Sequence, residues 1–257
     1  MVEEILGKKH RGEKIVMLTA YDHPTARIVD EAGIDLLLVG DSLGNVVYGL
    51  ERTTQVSKEM MLRHVQAVCR AAKKTPVIAD MPFDTYQVDR PNAVFHARDF
   101  MYAGCAGVKI EWFKQCLTVV DDLRAASIPV MGHIGLTPQT AEAMKVKGRG
   151  EEEAKAILSQ ARALEAAGCF AVVLECVPDG LAAEITQSLN IPTIGIGAGP
   201  HCDGQVLVVS DMLGLNDRAP RFVRRYADLG AQTLAAIKNY KADVESGVFP
   251  GPEQTFR

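Results

Sequence analysis

Eight short apolar runs recur along this chain, and a stretch with the apolar spacing of a helix follows most of them. Several runs are apolar at every position, which is typical of parallel strands that helices cover on both faces. Eight strand–helix units predict an α/β fold of the (β/α)8 TIM-barrel type, and a doubly wound open sheet is the alternative. The predicted strands are residues 15–19, 35–40, 76–81, 107–111, 129–134, 170–176, 193–197 and 205–210.

Amphipathic helix patterns lie between these runs. In residues 57–72, for example, Met61, Val65 and Val68 share one face, and Ser57 is placed to cap the N-terminus. No internal repeat or linker interrupts the alternation. The predicted helices are residues 57–72, 92–103, 114–126, 151–167, 180–189 and a long last helix at 222–244.

Length and composition are those of one large globular domain. With 257 residues, 47% of them hydrophobic and 23% charged, we expect a single domain over residues 1–257. A net charge of −4 argues against a nucleic-acid partner, which calls for a basic face. The six cysteines are dispersed, with no C-x-x-C pair, and no segment has the apolar length of a membrane span. These features predict a cytoplasmic protein with reduced thiols.

Three of the predicted strands end at an acidic residue. Asp41, followed by Ser42, comes after the second strand, Asp80 lies in the third strand and Glu111 ends the fourth. In a barrel the carboxyl ends of the strands meet at one mouth, where active sites form. The pattern therefore predicts a divalent-metal site of Asp41, Asp80 and Glu111. A lone strand-end acid often serves only as a turn or helix cap, but that interpretation is hard to keep for all three.

Further ionisable residues lie close to the same strand ends. Lys109 is two residues before Glu111, so both side chains point to the same side of the strand. Glu175 is a carboxylate inside an otherwise apolar run, which favours a general base. His133 is either a supporting member of the site or a satisfied polar residue of a turn.

Three other features carry weaker signals. The segment 195–199 (GIGAG) looks like part of a dinucleotide loop, but Pro200 replaces the third glycine, so a tight turn at the mouth is favoured. We interpret a cluster of four arginines near the C-terminal end as a solvated helix face or subunit contact. They are Arg218, Arg221, Arg224 and Arg225. We interpret Cys176 as an inert thiol.

Together these stretches resemble the ketopantoate hydroxymethyltransferase family, from residue 19 to residue 253. Several motifs, which follow one another along the chain in the order of the family, carry the resemblance. They are 39–44 (VGDSLG), 80–83 (DMPF), 108–111 (VKIE), 132–139 (GHIGLTPQ), 174–178 (LECVP), 195–199 (GIGAG) and 203–208 (DGQVLV).

The resemblance implies a barrel of the phosphoenolpyruvate/pyruvate type, one Mg²⁺ per subunit and a homodecamer. The implied reaction transfers a one-carbon unit from 5,10-methylenetetrahydrofolate to 3-methyl-2-oxobutanoate. By the same resemblance, Asp41, Asp80 and Glu111 serve the metal, directly or through water. Ser42 and Lys109, together with the two aspartates, hold the 2-oxo acid, and Glu175 is the proton acceptor.

The chain departs from the family pattern at two places that border the mouth. Trp112 and Phe113 stand where the family usually has two glycines, and a loop of the family is shortened here to residues 143–148. Two other functions remain open at this point. One is a lyase or mutase of the phosphoenolpyruvate/isocitrate-lyase group. Enzymes of that group carry a Cys-Gly-His loop, and no cysteine precedes Gly-His in this chain. The other is a non-catalytic barrel scaffold, against which the retained buried charges argue.

Overall fold

In the computed structural model, which describes residues 1–256, eight parallel strands form a closed barrel. Each strand pairs with the next one along the chain, and β8 closes the barrel on β1. The predicted (β/α)8 barrel is therefore confirmed, and the open sheet is wrong. The strands are β1 (Ile15–Thr19), β2 (Leu36–Val39), β3 (Val77–Asp80), β4 (Gly107–Glu111), β5 (Val130–Gly135), β6 (Ala171–Glu175), β7 (Thr193–Ile196) and β8 (Gly204–Leu207).

Helices alternate with the strands, and their starts are set by local capping. Ser57 caps α4 by accepting a hydrogen bond from the backbone N–H of Met60, and three glutamates occupy the first turn of α7. The helices are α1 (Val2–Arg11), α2 (His23–Glu31), α3 (Leu43–Val46), α4 (Lys58–Ala71), α5 (Ala93–Tyr102), α6 (Cys116–Ala125), α7 (Glu151–Ala167), α8 (Asp179–Ser188), α9 (Val209–Met212) and α10 (Leu229–Ser246).

The last long helix begins later than the sequence pattern predicts. The predicted start at residue 222 is wrong, because Asp228 caps α10 through the backbone N–H of Ala231. The basic residues therefore precede the helix in an irregular segment and do not form a helix face. One of them, Arg225, donates to the backbone carbonyls of Asn216 and Asp217.

The barrel interior is filled by apolar side chains up to the level where the polar residues begin. Parallel strands that are buried on both faces pack branched residues inside the barrel and against the helices. The interior is a packed core and not a channel. Its buried members include Ile15, Met17, Leu36, Leu38, Ile78, Met131, Val173, Ile194 and Val206, with Ile5 of α1 and Phe170.

The chain divides into two compact units. The first, Met1–Val208, contains the barrel and all the predicted site residues, and the second begins at Val209 and contains α9 and α10. The assignment of residues 1–257 to one domain stays a prediction. Within residues 1–256, none of the helices combines the length and the apolar character needed to cross a membrane.

Candidate active site

The carboxyl ends of β2 to β6 bring the predicted site residues to one mouth. Asp80 pairs in register with Lys109, Glu111 with His133, and Gly135 with Glu175. Because parallel strands stagger around a barrel, these neighbouring positions project polar side chains above the apolar core. Most of the side chains are buried, and Glu175 alone is partly exposed. The residues brought together are Asp41, Asp80, Lys109, Glu111, His133 and Glu175.

Asp80 and Lys109 form a buried ion pair at the centre of the group. The Lys109 Nζ atom lies 2.8 Å from Asp80 Oδ1, and the Asp41 backbone N–H donates to Asp80 Oδ2 at 3.0 Å. Burial raises the pKa of Asp80 to about 6, with Lys109 opposing the shift and Asp41 adding to it. Burial alone would lower the pKa of Lys109, but three carboxylates raise it above its ordinary value. Lys109 is therefore charged.

Glu111 is held by residues from two loops. Its Oε2 accepts the backbone N–H of Gln139 at 3.0 Å, and its own backbone N–H donates to Tyr86 Oη at 3.0 Å. Burial and the charge of Asp41 raise the pKa of Glu111 well above its ordinary value. Glu111 therefore ties the loop after β3 to the loop after β5.

The Gln139 side chain connects this loop contact to Asp41. Its Nε2 donates to Asp41 Oδ2 at 2.8 Å and to the Met81 carbonyl at 3.1 Å. Its Oε1 accepts from Tyr86 Oη at 2.5 Å. The sequence pattern does not predict the contacts of Gln139 to Glu111 and Asp41, although Gln139 ends the 132–139 motif. Loop residues of this kind give no periodic signal.

His133 lies between Lys109 and Glu175. The Lys109 Nζ atom is 3.2 Å from His133 Nδ1, and His133 Nε2 is 3.2 Å from Glu175 Oε2. Burial and the Lys109 charge lower the pKa of His133, so its ring is neutral near pH 7. The interpretation of His133 as an isolated turn residue is wrong, because it is buried within β5 among charged partners.

Ser42 follows Asp41 and is oriented by β1. Its Oγ lies 2.8 Å from the Oη of Tyr21, which is buried just beyond the end of β1. Burial raises the pKa of Tyr21, so its hydroxyl stays protonated. The contact of Tyr21 with Ser42 is not predicted by the sequence pattern either, since only the place of Tyr21 after a strand distinguishes it.

The glycine-rich segment after β7 forms a tight turn. Gly197 and Gly199 have φ values of 65° and 78°, and a side chain at Gly199 would meet the Cβ of Asp179 at 2.5 Å. Cys176 also has a left-handed backbone, with φ 49°, and it is partly exposed. Burial raises the pKa of its thiol to about 11, which matches an inert thiol.

Asp41 and Asp80 are in contact, but the acids are not arranged as a three-acid cage. Among residues 1–256, no group of three or more His, Cys, Asp or Glu side chains is arranged to hold a metal ion. Asp41 and Asp80 are adjacent, and the buried Oδ1 of Asp80 has no aligned hydrogen-bond donor, although Lys109 pairs with it electrostatically. Two carboxylates suit Mg²⁺, which usually keeps water and substrate oxygens as its remaining ligands. The residues present therefore fit such an ion.

Curated proteins and one family profile match the chain over nearly its full length. The profile of ketopantoate hydroxymethyltransferase matches residues 1–252. The 3-methyl-2-oxobutanoate hydroxymethyltransferase of Syntrophomonas wolfei is 50% identical over 260 residues, covering 99% of this chain and 94% of the relative. The protein of the same name from Heliobacterium modesticaldum is 51% identical over 253 residues, covering 96% and 92%. The one from Ignicoccus hospitalis is 48% identical, covering 97% and 96%.

Solved structures with the same fold are much more distant in sequence. Phosphonopyruvate hydrolase in complex with oxalate and Mg²⁺ has a TM-score of 0.65 at 12% identity, covering 98% of this chain and 92% of that one. 2,3-Dimethylmalate lyase, of the PEP mutase/isocitrate lyase superfamily, has a TM-score of 0.61 at 16% identity, covering 99% and 91%. At these identities the similarity extends to the fold alone.

Proposed function

This chain belongs to the ketopantoate hydroxymethyltransferase family, and from that premise we propose how its barrel mouth performs the reaction. The enzyme transfers a hydroxymethyl group to 3-methyl-2-oxobutanoate and forms ketopantoate, a step of pantothenate synthesis. One observation carries the residue assignments, namely a continuous set of short contacts among the polar side chains at the ends of β2 to β6. These are the contacts of Asp41, Asp80, Lys109, Glu111, His133 and Glu175.

Asp41 and Asp80 are the proposed ligands of one Mg²⁺ per subunit. Glu111 already accepts a hydrogen bond from Gln139 and lies 3.6 Å from His133 Nδ1, so we assign it a contact to the ion through water. A 2-oxo acid presents carboxylate and keto oxygens that complete such a two-carboxylate site. Bound Mg²⁺ supplies a Lewis acid for the keto acid.

Ser42 and Lys109, with the two aspartates, hold the 2-oxo acid in this proposal. Tyr21 fixes the direction of the Ser42 hydroxyl, and Asp80 fixes the Lys109 ammonium. The ammonium then stands as a fixed positive charge beside the oxygen on which negative charge develops during enolisation. Such a preorganised charge stabilises the transition state more than the ground state.

Glu175 is the proposed base that removes the C3 proton. Lys109 can only donate to His133 Nδ1, so the neutral ring carries its proton on Nε2, which faces Glu175. This N–H lies 3.2 Å from Glu175 Oε2 and orients the carboxylate at the mouth. The partial exposure of Glu175, 17% of its side chain, leaves it open to the mouth where the second substrate arrives.

5,10-Methylenetetrahydrofolate is the proposed one-carbon donor. Opening of the methylene bridge of the folate and addition of water release tetrahydrofolate and formaldehyde. The enolate carbon then adds to the formaldehyde carbon, and the carbonyl oxygen takes up a proton and becomes the hydroxyl of the product. We also propose a cytoplasmic homo-oligomer, a homodecamer by resemblance to the family.

A coupled assay tests the proposal. Purified protein is given 3-methyl-2-oxobutanoate and 5,10-methylenetetrahydrofolate, with Mg²⁺ or after exhaustive chelation. We expect ketopantoate to form only with Mg²⁺, and D80N to fold normally while binding the metal weakly. Full turnover after chelation contradicts the metal assignment. Cleavage of the 2-oxo acid without folate would support a lyase, and no reaction would support a scaffold.

A further inference from the structure

A cavity adjoins the acid cluster at the same edge of the barrel. Its volume of about 550 Å³ is within the range of small-molecule sites, roughly 300–1,000 Å³. The end of β5, the loop that follows it and the first turns of α7 form its walls. We call it the lateral pocket, and its lining includes Trp112, Gly135, Thr137, Glu142, Lys145 and Lys147.

The lateral pocket shares its backbone with the strand that carries the proposed base. Gly135 pairs in register with Glu175, and the N–H of the next residue, Leu136, donates to the Glu175 carbonyl at 2.8 Å. The Lys147 N–H donates to the Cys176 carbonyl at 2.9 Å. A molecule in the pocket is therefore adjacent to the end of β6, the strand that carries the proposed base Glu175.

The polar groups of the pocket have few partners within the chain. Neither Glu142 nor Lys145 forms a hydrogen bond or an ion pair with another residue in the described range 1–256. Lys147 Nζ is 3.8 Å from Glu153, which is already hydrogen-bonded to the Gly148 N–H. Two lysines and one carboxylate thus remain available to a ligand.

Trp112 adds a flat aromatic face to this wall. It directly follows Glu111, and its backbone N–H donates to the His133 carbonyl at 2.8 Å. Each of the two places where the chain departs from the family pattern contributes to the lateral pocket: Trp112 from the first, and Ala143, Lys145 and Lys147 from the second. The departures therefore change a binding surface and leave the acids in place.

We propose that the lateral pocket binds the folate co-substrate. The planar pyrimidinone half of the reduced pterin suits the indole of Trp112, and its N–H edge suits the carboxylate of Glu142. The glutamate carboxylates of the folate suit Lys145 and Lys147. This inference rests on the proposed function, because it assigns a place to the second substrate of that reaction.

Trp112 provides a direct probe, since it is the only tryptophan of the chain. 5-Formyltetrahydrofolate, a reduced folate that cannot donate its carbon here, is titrated into the Mg²⁺-containing enzyme. Tryptophan emission and isothermal titration calorimetry are followed in parallel. We expect saturable quenching with the same dissociation constant as the calorimetric signal.

Charge-removal variants give the second readout. The double variant K145A/K147A should raise the dissociation constant and the KM for folate roughly tenfold, and less at high salt. K155A is the matched control, because Lys155 is a nearby lysine in the first turns of α7 that does not line the pocket and pairs with Glu151 and Glu152. It should leave both constants unchanged.

Aromatic variants separate the pocket from the reaction itself. W112G should weaken folate binding while W112F retains most of it, and the KM for 3-methyl-2-oxobutanoate should stay constant in both. Folate constants that are equal in all variants, with transfer activity intact, would overturn the pocket and leave the proposed function standing. If no variant or wild-type enzyme transfers carbon, the binding titrations still decide the pocket independently.

Discussion

Lys109 sets the charge balance of the site at the residue scale. It is the only buried lysine or arginine among residues 1–256, and three buried carboxylates surround it. Three ionised acids and one ammonium leave two negative charges, which a divalent cation neutralises. Without that cation, burial and mutual repulsion disfavour the ionised acids, which is why the pKa of Asp80 and that of Glu111 are raised.

The raised pKa of Asp80 predicts pH-dependent metal binding. Below a pH of about 6 the Asp80 carboxyl is protonated and cannot ligate a cation, so Mg²⁺ affinity should fall as the pH decreases through that value. Calorimetric titration with Mg²⁺ between pH 8 and pH 5 measures this. An affinity that stays constant over the range would remove Asp80 as a ligand. D80N is the control, because it lacks the Asp80 carboxyl but keeps Glu111, whose pKa is also raised, and so shows which part of the pH dependence belongs to Asp80.

The hydrogen bond from Gln139 to Asp41 predicts an effect on Mg²⁺ affinity. Q139L keeps the side-chain volume but removes the hydrogen bond to Asp41 Oδ2, so Mg²⁺ affinity should fall about 10- to 100-fold. Q87L is the matched control, because Gln87 contacts Gln139 and Tyr86 but none of the acids. Equal Mg²⁺ affinities in the two variants, measured by calorimetry, would show that the contact does not position Asp41.

At the scale of elements, the strands were predictable and the contacts between loops were not. Parallel strands read as continuous apolar runs, so all eight appear in the sequence to within a few residues. α1 and α2 were missed because α1 is rich in charge and buries only Ile5, while α2 begins with His23 and Pro24. The site acids were found because strand ends carry them. Gln139, Tyr86 and Tyr21 were not found, because their partners come from distant parts of the chain.

The junction of β5 and β6 leads to a stability prediction. A Cβ at Gly135 would lie 2.3 Å from the Glu175 carbonyl oxygen, and the φ of 91° already disfavours a side chain. G135A should therefore destabilise the protein by at least about 2 kcal/mol and displace Glu175. G180A, in the open first turn of α8, is the control and should be neutral or slightly stabilising. Denaturant unfolding compares the two, and equal stabilities would contradict the proposed clash.

At the scale of the whole molecule, large apolar side chains remain on the surface. On α5, Phe95 and Tyr102 are seven residues apart on one face and are 62% and 85% exposed. α10 has no buried residue and leaves Leu234, Ile237 and Tyr240 more than half exposed. Large exposed apolar side chains on one helix face are typical of subunit contacts.

The expected assembly is a homo-oligomer, and a homodecamer by resemblance. Sedimentation velocity of the wild-type protein should give one species several times larger than the 27.8 kDa chain. F95D/Y102D places charges on the exposed face of α5 and should yield smaller species if that face is a subunit contact. A wild-type protein that sediments as a monomer at micromolar concentration would contradict the expected assembly.

We propose that Glu175 removes the C3 proton before any carbon is transferred. Incubation of the Mg²⁺-containing enzyme with 3-methyl-2-oxobutanoate in D₂O, without folate, isolates this step, and NMR follows the C3 proton signal. We predict that the wild-type enzyme exchanges the proton and that E175Q, which keeps the shape but cannot accept a proton, loses exchange by about 10²- to 10⁴-fold. Product formation should fall in parallel while Mg²⁺ binding persists. Wild-type exchange in E175Q would contradict the account and assign the base to another residue, with His133 the next candidate.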